Sequence, residues 1–225
     1  RCGPRGFSLD SSLPMLALPI RNPFQGAASF QVLETASTMD EARRLARLGF
    51  AEGTFIGAEW QTAGRGRLPE RVWEAERGKN LLGTLILAPE AARIPGFTLR
   101  IGLALCRSVD IFCIQEGFAP LEDPRLKWPN DVLVGGKKLA GILCEAAPEA
   151  TYAGFGINVN QAGFSPGLEA KATSLSLLRP GRGPDLDRDR FLELVLDQIR
   201  LVLGESSWKE EAEAVLWRQI GRAHV

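Results

Sequence analysis

Apolar residues recur along this chain at two spacings, which together predict a mixture of strands and helices. Short apolar runs bounded by turn residues indicate strands at 30–33, 54–60, 80–87, 126–129, 132–134, 139–144 and 152–159. Apolar residues at intervals of three to four indicate helices at 38–48, 96–112, 191–203 and 207–220. Hairpins with intervening helices predict an α+β fold, with a mixed or antiparallel sheet and helices packed on one face.

Polar residues just before three of these helices supply the expected N-caps. A Ser or Thr followed three residues later by Glu fits a capping box, in which each side chain binds the other's backbone amide. Asp is also a favoured N-cap. The predicted capping positions are Thr38 with Glu41, Ser207 with Glu210, and either Asp187 or Asp189.

Turn-forming residues indicate how the chain is organised. Residues 1–28 contain four prolines and three glycines, which predicts an extended or partly disordered leader. Residues 29–220 are predicted to form one folded domain whose part from 185 to 220 is helical. A length of 225 residues is consistent with one or two domains.

Composition narrows the chemistry that this chain can perform. With 27 Lys+Arg and 27 Asp+Glu, the zero net charge gives no general attraction for nucleic acid or an anionic membrane. The one histidine, His224, lies next to the last residue, which disfavours a Ser-His-Asp triad or a His-ligated metal site. No apolar run reaches the roughly 18 residues of a membrane span. Four cysteines without a C-x-x-C pair are typical of reduced thiols in a cytoplasmic protein.

The polar segment 61–73 is the first candidate site. Its glycines allow the backbone to approach a ligand closely, and its arginines offer planar donors that suit phosphate oxygens. The residues concerned are Gly64, Gly66, Arg65, Arg67 and Arg71. The same composition is equally typical of a solvated loop whose arginines pair with nearby glutamates. Neither a Walker A motif nor a G-x-G-x-x-G fingerprint is present, so the two usual nucleotide folds are not indicated.

Three further segments place polar groups or glycines beside predicted strands. In Lys127–Asp131, Pro129 follows a strand and presents Asn130 and Asp131, either to Mg²⁺ and a ribose or as a turn capping its own backbone. Lys138 follows a predicted Gly-Gly hairpin turn and is either a fixed charge in a pocket or an edge-strand lysine that blocks aggregation. Glycines within the strand 152–159 mark either a ligand or tight packing.

Taken together, five short blocks resemble the biotin protein ligases, also called biotin–[acetyl-CoA-carboxylase] ligases. They are Ser37–Met39, Gln61–Arg67, Lys127–Asp131 (KWPND), Lys138–Ile142 (KLAGI) and Gly154–Asn158. They occur in the family's order and spacing, and the resemblance covers roughly residues 29–178. The KWPND block followed by KLAGI is the most specific part of it.

This resemblance implies a fold and a reaction. The fold is the biotin–lipoate ligase catalytic domain, similar to class II aminoacyl-tRNA synthetases. The reaction activates biotin with ATP, with Mg²⁺ bound mainly through the ATP phosphates and no certain metal site in the protein. Biotinyl-5′-adenylate and pyrophosphate form, and biotin is then transferred to one lysine of a biotin carboxyl carrier domain. The resemblance also allows a homodimer.

The resemblance further implies a role for individual residues. The biotin site would comprise Ser37, Thr38, Met39, Gln61, Arg65, Gly66, Arg67, Lys138, Gly141 and Gly154. The ATP site would comprise Arg67, Arg71, Trp73, Asn130, Asp131, Lys138 and Asn158. The catalytic residues would be Lys138, Asp131, Arg65 and Arg67.

The chain also departs from the family pattern. Met39 stands where many members carry Asn, and Pro69 replaces a glycine in an arginine loop that is one residue longer. Residues 1–28 are too short and too rich in Pro and Gly for a helix-turn-helix, so no DNA binding is expected. A small C-terminal β-domain is expected to be missing after residue 225. The alternatives are a lipoate or octanoate ligase or transferase of the same fold, and a non-catalytic biotin-binding module.

Overall fold

An eight-stranded sheet forms the centre of the molecule in the computed structural model, which describes residues 14–67, 73–118, 123–181 and 183–217. The strands are β1 (Leu16–Ala17), β2 (Ser29–Val32), β3 (Phe55–Ala58), β4 (Leu81–Leu87), β5 (Arg125–Lys127), β6 (Asp131–Val134), β7 (Lys137–Ala146) and β8 (Thr151–Ile157). Their order across the sheet is β1-β2-β3-β4-β8-β7-β6-β5. Strands β2 and β3 pair in parallel, and the other neighbours pair antiparallel, which confirms the predicted mixed sheet.

Five helices pack against this sheet. They are α1 (Thr38–Arg47), α2 (Phe97–Gln115), α3 (Leu175–Leu178), α4 (Arg188–Gly204) and α5 (Trp208–Val215), and a short 3-10 helix spans Pro89–Arg93. Successive residues of a strand point to opposite faces. Leu85 and Phe155 therefore face the main core with α2 and α4, whereas Ile86 and Tyr152 face a second core beneath α1. Most of the helical mass lies on one face, as predicted, and α1 covers part of the other.

Helix α2 is the central element of the main core. Ile101, Leu105 and Val109 are fully buried at helical spacing, and the Phe112 ring lies 4.7 Å from the Phe191 ring of α4. On the same helix Cys106 and Cys113 are buried free thiols, and burial raises the pKa of the Cys113 thiol to about 12. The predicted buried face of this helix is confirmed. None of the described helices is both long and apolar enough to cross a membrane.

The structure corrects the first predicted helix cap. Ser37, not Thr38, is the N-cap of α1, and its hydroxyl accepts a hydrogen bond from the Met39 amide at 3.3 Å. Thr38 cannot cap because its own hydroxyl lies 3.0 Å from the Thr84 hydroxyl on β4. Glu41 accepts a hydrogen bond from the Thr35 side chain instead of closing a capping box.

The ends of the C-terminal helices also differ from prediction. Asp187 is the cap of α4, since its carboxylate accepts hydrogen bonds from the amides of Asp189 and Arg190, both at 3.0 Å. Helix α5 ends at Val215 and not at 220, because the Trp217 amide donates to the Leu126 carbonyl at 2.6 Å along β5. Residues 218–220 lie outside the described part of the chain. The edge strand β1 and the short helix α3 were not predicted.

One carboxylate on α2 makes stability depend on pH. The pKa of Asp110 is raised to about 6, chiefly by burial and also by the nearby Asp123, while Arg125 opposes both. Since the folded state then binds the proton more tightly than the unfolded chain, Asp110 destabilises the fold above about pH 6, and this cost is relieved as the pH falls towards 4. Asp110→Asn is expected to stabilise the protein by about 1 kcal/mol at pH 7.5, after discounting for solvent screening.

Urea unfolding of both proteins at several pH values measures this difference. The gain should shrink steadily as the pH falls from 6 to 4 and vanish well below the ordinary Asp pKa of 3.8, where both states of the wild type hold the proton. A gain of the same size at pH 4 and pH 7.5 would contradict the assignment.

Candidate active site

A floor of glycines lies on the α1 side of the sheet, where β7 and β8 run side by side. Gly141 pairs with Gly156, and Gly154 lies two residues further along β8. The Trp73 indole ring lies directly on this floor. A Cβ added to Gly156 would stand 2.7 Å from Trp73 Cε2, and one added to Gly141 would stand 2.8 Å from Cζ3. Only glycine leaves room for the ring at these two positions.

A lysine–aspartate pair stands at the edge of this floor. Lys138 Nζ lies 2.7 Å from Asp131 Oδ1 and 5.2 Å from the centre of the Trp73 ring. Both side chains are partly buried, at 35% and 20% exposed. The hairpin turn at Gly135–Gly136, with both residues at positive φ, brings β6 and β7 together, and a register shift between Val132 and Leu133 pairs Asp131 with Gly141. The predicted turn is confirmed, and it joins two motifs that were separate in the sequence.

Polar side chains form the other end of the floor. The Thr38 amide donates to Gln61 Oε1 at 2.8 Å, and the Thr38 hydroxyl lies 3.1 Å from the same oxygen and 3.0 Å from the Thr84 hydroxyl. Gln61 is held here because residues 61–63 pair in parallel with residues 35–36. Thr84 pairs with Gly154 in the sheet. Because Gly154 and Gly156 are two residues apart on β8, this polar cluster lies about 7 Å from Gly156.

Met39 closes the floor at that polar end. It is buried, and a Cβ added to Gly154 would stand 3.0 Å from its terminal methyl carbon. The candidate pocket therefore has an apolar wall beside a polar cluster at one end and a lysine at the other.

Two buried polar atoms near the floor have no hydrogen-bond partner among the residues that the structure describes. One is Trp73 Nε1, a donor, and the other is Asn158 Oδ1, an acceptor. The amide nitrogen of Asn158 is already used, since it donates to the Thr173 carbonyl at 3.0 Å. Buried polar atoms are nearly always hydrogen-bonded, so an unpaired donor and an unpaired acceptor next to a pocket favour a ligand there.

A groove adjoins the site along β7. Asn130 fixes its near end, because its side chain donates to the Ile142 carbonyl at 3.0 Å and its own carbonyl accepts from the Ile142 amide at 2.8 Å. Beyond Ile142, β7 continues to Ala146. Within the described residues, no strand pairs with the edge of this stretch that faces away from β8. The groove has a volume of about 540 Å³ and is lined by Arg67, Trp128 and the first turn of α2. Trp128 is 72% exposed.

The structure does not gather the predicted arginine clamp around the glycine floor. Arg65 points to the first turn of α1, where Arg65 Nη2 lies 2.5 Å from Asp40 Oδ1. Arg67 is exposed at the groove, and Gly66 is partly exposed between them. Arg71 lies outside the described residues. The described residues contain no group of three or more His, Cys, Asp and Glu side chains that could hold a metal ion.

Sequence reasoning missed some members of the site. Thr84 was overlooked, although a single hydroxyl within the buried apolar run Leu81–Leu87 is a signal that could have identified it. Gly156 was noted as a strand glycine but was not assigned to a ligand. Its contact with Trp73 depends on how a distant loop folds back over the sheet, which no local pattern reports.

The sequence is similar to those of known biotin and lipoate ligases. Residues 34–161 match the Biotin/lipoate A/B protein ligase family. The bifunctional ligase/repressor BirA of Bacillus subtilis is 37% identical over 170 residues, which cover 72% of this chain and 49% of that protein. The biotin–[acetyl-CoA-carboxylase] ligase of Paracoccus denitrificans is 34% identical over 168 residues, covering 72% of this chain and 67% of that protein.

The fold is also similar to that of a solved biotin protein ligase. The biotin protein ligase from Aquifex aeolicus in complex with biotin and ATP superimposes with a TM-score of 0.67 and 31% identity, covering 84% of this chain and 78% of that one. The chain spans about half the length of the BirA proteins that it matches.

Proposed function

Because this chain belongs to the Biotin/lipoate A/B protein ligase family, we propose that it is an ATP-dependent biotin protein ligase. It would form biotinyl-5′-AMP and transfer biotin to a lysine of a biotin carboxyl carrier domain. The observation that carries this proposal is the Lys138–Asp131 pair at the edge of the glycine floor, with the Thr38–Gln61–Thr84 cluster at the other end.

The pocket suits biotin because its two ends differ in chemistry. Biotin has a ureido ring that both donates and accepts hydrogen bonds, a thioether ring, and a carboxylate on an aliphatic chain. The Thr38 and Gln61 side chains supply matching groups for the ureido ring, with Ser37 beside them capping α1, and Met39 packs against the apolar part. The aliphatic chain would run between Met39, which contacts Gly154, and the Trp73 ring, which covers Gly141, bringing the carboxylate to Lys138.

The other substrate, ATP, would bind beside the biotin carboxylate. The Trp73 ring offers an aromatic surface for adenine, and the unpaired Asn158 Oδ1 suits its exocyclic amine, which is a donor. Asn130, Arg67 and Arg71 are proposed to contact the nucleotide. Mg²⁺ would be held mainly by the ATP phosphates, and Asp131 is the carboxylate at the site that could assist.

Adenylation joins two anions, so the site must offset their repulsion. A biotin carboxylate oxygen attacks the α-phosphorus, the new acyl–phosphate bond forms, the bond to the β-phosphate oxygen breaks, and pyrophosphate leaves. Lys138, between the carboxylate and the α-phosphate, would stabilise the charge that develops in the transition state. Arg65 and Arg67 are proposed to add positive charge after Arg65 leaves Asp40. Gly66 would let this loop approach the adenylate closely.

In the transfer step the amine of the carrier lysine attacks the biotinyl carbonyl. A C–N bond forms, the bond to the AMP oxygen breaks, and AMP leaves while the amine gives up a proton. Asp131 is placed to orient that amine or accept its proton. The groove beside Asn130 is proposed as the carrier's docking surface. It includes the exposed Trp128 and the edge of β7 opposite β8, with which no strand of the described residues pairs beyond Ile142.

Biotin-dependent exchange of labelled pyrophosphate into ATP tests the proposal. We expect exchange with biotin and none with lipoate or octanoate, because the polar cluster at Thr38 and Gln61 matches a ureido ring and neither of those acids has one. Exchange with lipoate alone would instead identify a lipoate ligase of the same fold. Equilibrium binding of biotin without any exchange would identify a binding module.

Thr38→Val is expected to weaken biotin binding selectively. The substitution keeps the shape of the side chain but removes the hydroxyl shared with Gln61 and Thr84, leaving buried partners unsatisfied. We expect the Kd for biotin to rise about 10-fold to 30-fold, while the KM for ATP changes less than about twofold. Isothermal titration with biotin measures the first quantity. An equal loss for both substrates would contradict the assignment of this end to biotin.

The free thiols and the fold are consistent with a cytoplasmic enzyme, which we propose as its location. A homodimer stays a prediction.

A further inference from the structure

Two loops meet at the rim of the glycine floor. The first is the segment 73–79, which begins at Trp73. The Trp73 amide donates a hydrogen bond to the Gly64 carbonyl at 3.1 Å. The second, the segment 161–174, follows β8 and Asn158. They are joined at the surface by one carboxylate: Glu74 Oε1 accepts from the Ser165 amide at 3.1 Å, and Glu74 Oε2 accepts from the Ser165 hydroxyl at 2.7 Å. We call this pair the clasp.

Beneath the clasp a buried glutamine joins the same two loops. Gln161 is 2% exposed, and its Oε1 accepts from the Glu76 amide at 3.2 Å and from the Asn80 side chain at 2.5 Å. Its side-chain amide donates to the Gly163 carbonyl at 3.0 Å. Gln161 therefore joins the two loops in the protein interior, and Glu74 and Ser165 join them at the surface.

The clasp lies next to Trp73, the residue whose ring is proposed to contact the adenine. Trp73 immediately precedes Glu74, and within the described residues its indole nitrogen is buried without a partner. Among the described residues, Trp73 therefore has no side-chain hydrogen bond to hold its ring on Gly141 and Gly156. Its place is set by packing on those glycines, by Lys138 over the ring, and by the backbone, which Gly64 fixes before it and Glu74 fixes after it.

We propose that Glu74 is a positioning residue, which holds Trp73 over Gly141 and Gly156 by clasping Ser165. This inference rests on the proposed function in one respect, namely that Trp73 contacts the nucleotide. Because the clasp joins the two loops, it lowers the free-energy cost of assembling the pocket around ATP.

Loss of the clasp is expected to affect ATP binding and not the chemical step. Two hydrogen bonds to an exposed carboxylate correspond to roughly a fivefold to twentyfold change in an equilibrium constant. Glu74→Ala should raise the KM for ATP by that factor, while kcat and the KM for biotin stay within about twofold. Glu74→Gln keeps one acceptor and should recover part of the loss.

The experiment combines pyrophosphate-exchange kinetics with acrylamide quenching of tryptophan emission on the full chain. The variants are Glu74→Ala, Glu74→Gln, Ser165→Ala and the Glu74→Ala/Ser165→Ala double variant, with Glu52→Ala as the control, an exposed glutamate in the turn before β3. The double variant should be no worse than Glu74→Ala, because both substitutions remove one interaction. Quenching should rise in Glu74→Ala, and the rise should be absent in a Trp73→Phe background.

The outcomes separate the clasp from the proposed function. An unchanged KM for ATP and unchanged quenching in Glu74→Ala overturn the clasp, even if the wild type is fully active. A lower melting temperature with kcat and both KM values unchanged also overturns it, since that is a purely structural effect. If the wild type shows no biotin-dependent exchange, the proposed function fails, and quenching alone then decides whether Glu74 positions Trp73.

Discussion

Lys138→Ala is expected to lower the rate of biotin adenylation by at least about 100-fold. This is the scale at which removing one preorganised charge donor from a transition state reduces turnover. The ammonium group lies 2.7 Å from Asp131 and within 5.2 Å of the Trp73 ring centre, so it already occupies the edge of the pocket without substrate. Biotin-dependent pyrophosphate exchange measures the effect directly, since it reports the first step alone.

Matched variants keep this test specific. Lys137→Ala removes the neighbouring lysine, which is exposed and within the described residues reaches only the Glu169 carbonyl at 3.4 Å. This variant should leave exchange within about twofold of wild type. Lys138→Arg keeps the charge but not its compact shape, and we expect it to recover only part of the rate. Full exchange activity in Lys138→Ala would contradict the role that we propose for this residue.

Gly156→Ala is expected to raise the KM for ATP by about 10-fold or more while biotin binding is retained. The added methyl group would stand 2.7 to 3.1 Å from three atoms of the Trp73 indole, so the ring must leave the floor. Overpacking of this kind typically costs about 1–3 kcal/mol, which corresponds to roughly fivefold to 150-fold in affinity. The expected loss falls on ATP because Trp73 is the residue displaced.

A glycine outside the site provides the control for Gly156→Ala. Gly204 ends α4, and a Cβ added there meets nothing within 4 Å, so Gly204→Ala should leave both KM values unchanged. Exchange kinetics at varied ATP, together with isothermal titration with biotin, measure the two affinities separately. A Gly156→Ala enzyme with a normal KM for ATP would show that the Trp73 ring does not need this floor.

Much of the fold could be predicted from local patterns. The strand runs, the Gly-Gly turn before Lys138 and the buried face of α2 each depend on residues close together in the sequence, and the structure confirms them. The juxtaposition of Asp131 and Lys138 could not be predicted in the same way. The Gly-Gly turn alone would place Asp131 opposite Ala140, but a register shift between Val132 and Leu133 pairs it with Gly141 instead.

The parts that could not be predicted depend on contacts between distant residues. Thr38 was expected to cap α1, but the hydroxyl is drawn to Thr84, which is 46 residues away in the chain. Arginine is a residue type that suits phosphate, yet Arg65 pairs with Asp40 on α1. Helix α5 stops early because Trp217 joins β5. In each case a tertiary partner competes with a local preference, and local patterns carry no information about that partner.

Mass spectrometry of a biotin carboxyl carrier domain after incubation with this protein, biotin and ATP tests biotin transfer directly. We expect one added biotinyl group on a single lysine, dependent on both ATP and biotin, and lost when Lys138→Ala replaces the wild type. A carrier domain that stays unmodified under conditions where pyrophosphate exchange proceeds would contradict transfer. A carrier modified by lipoate but not by biotin would contradict the assignment of the substrate.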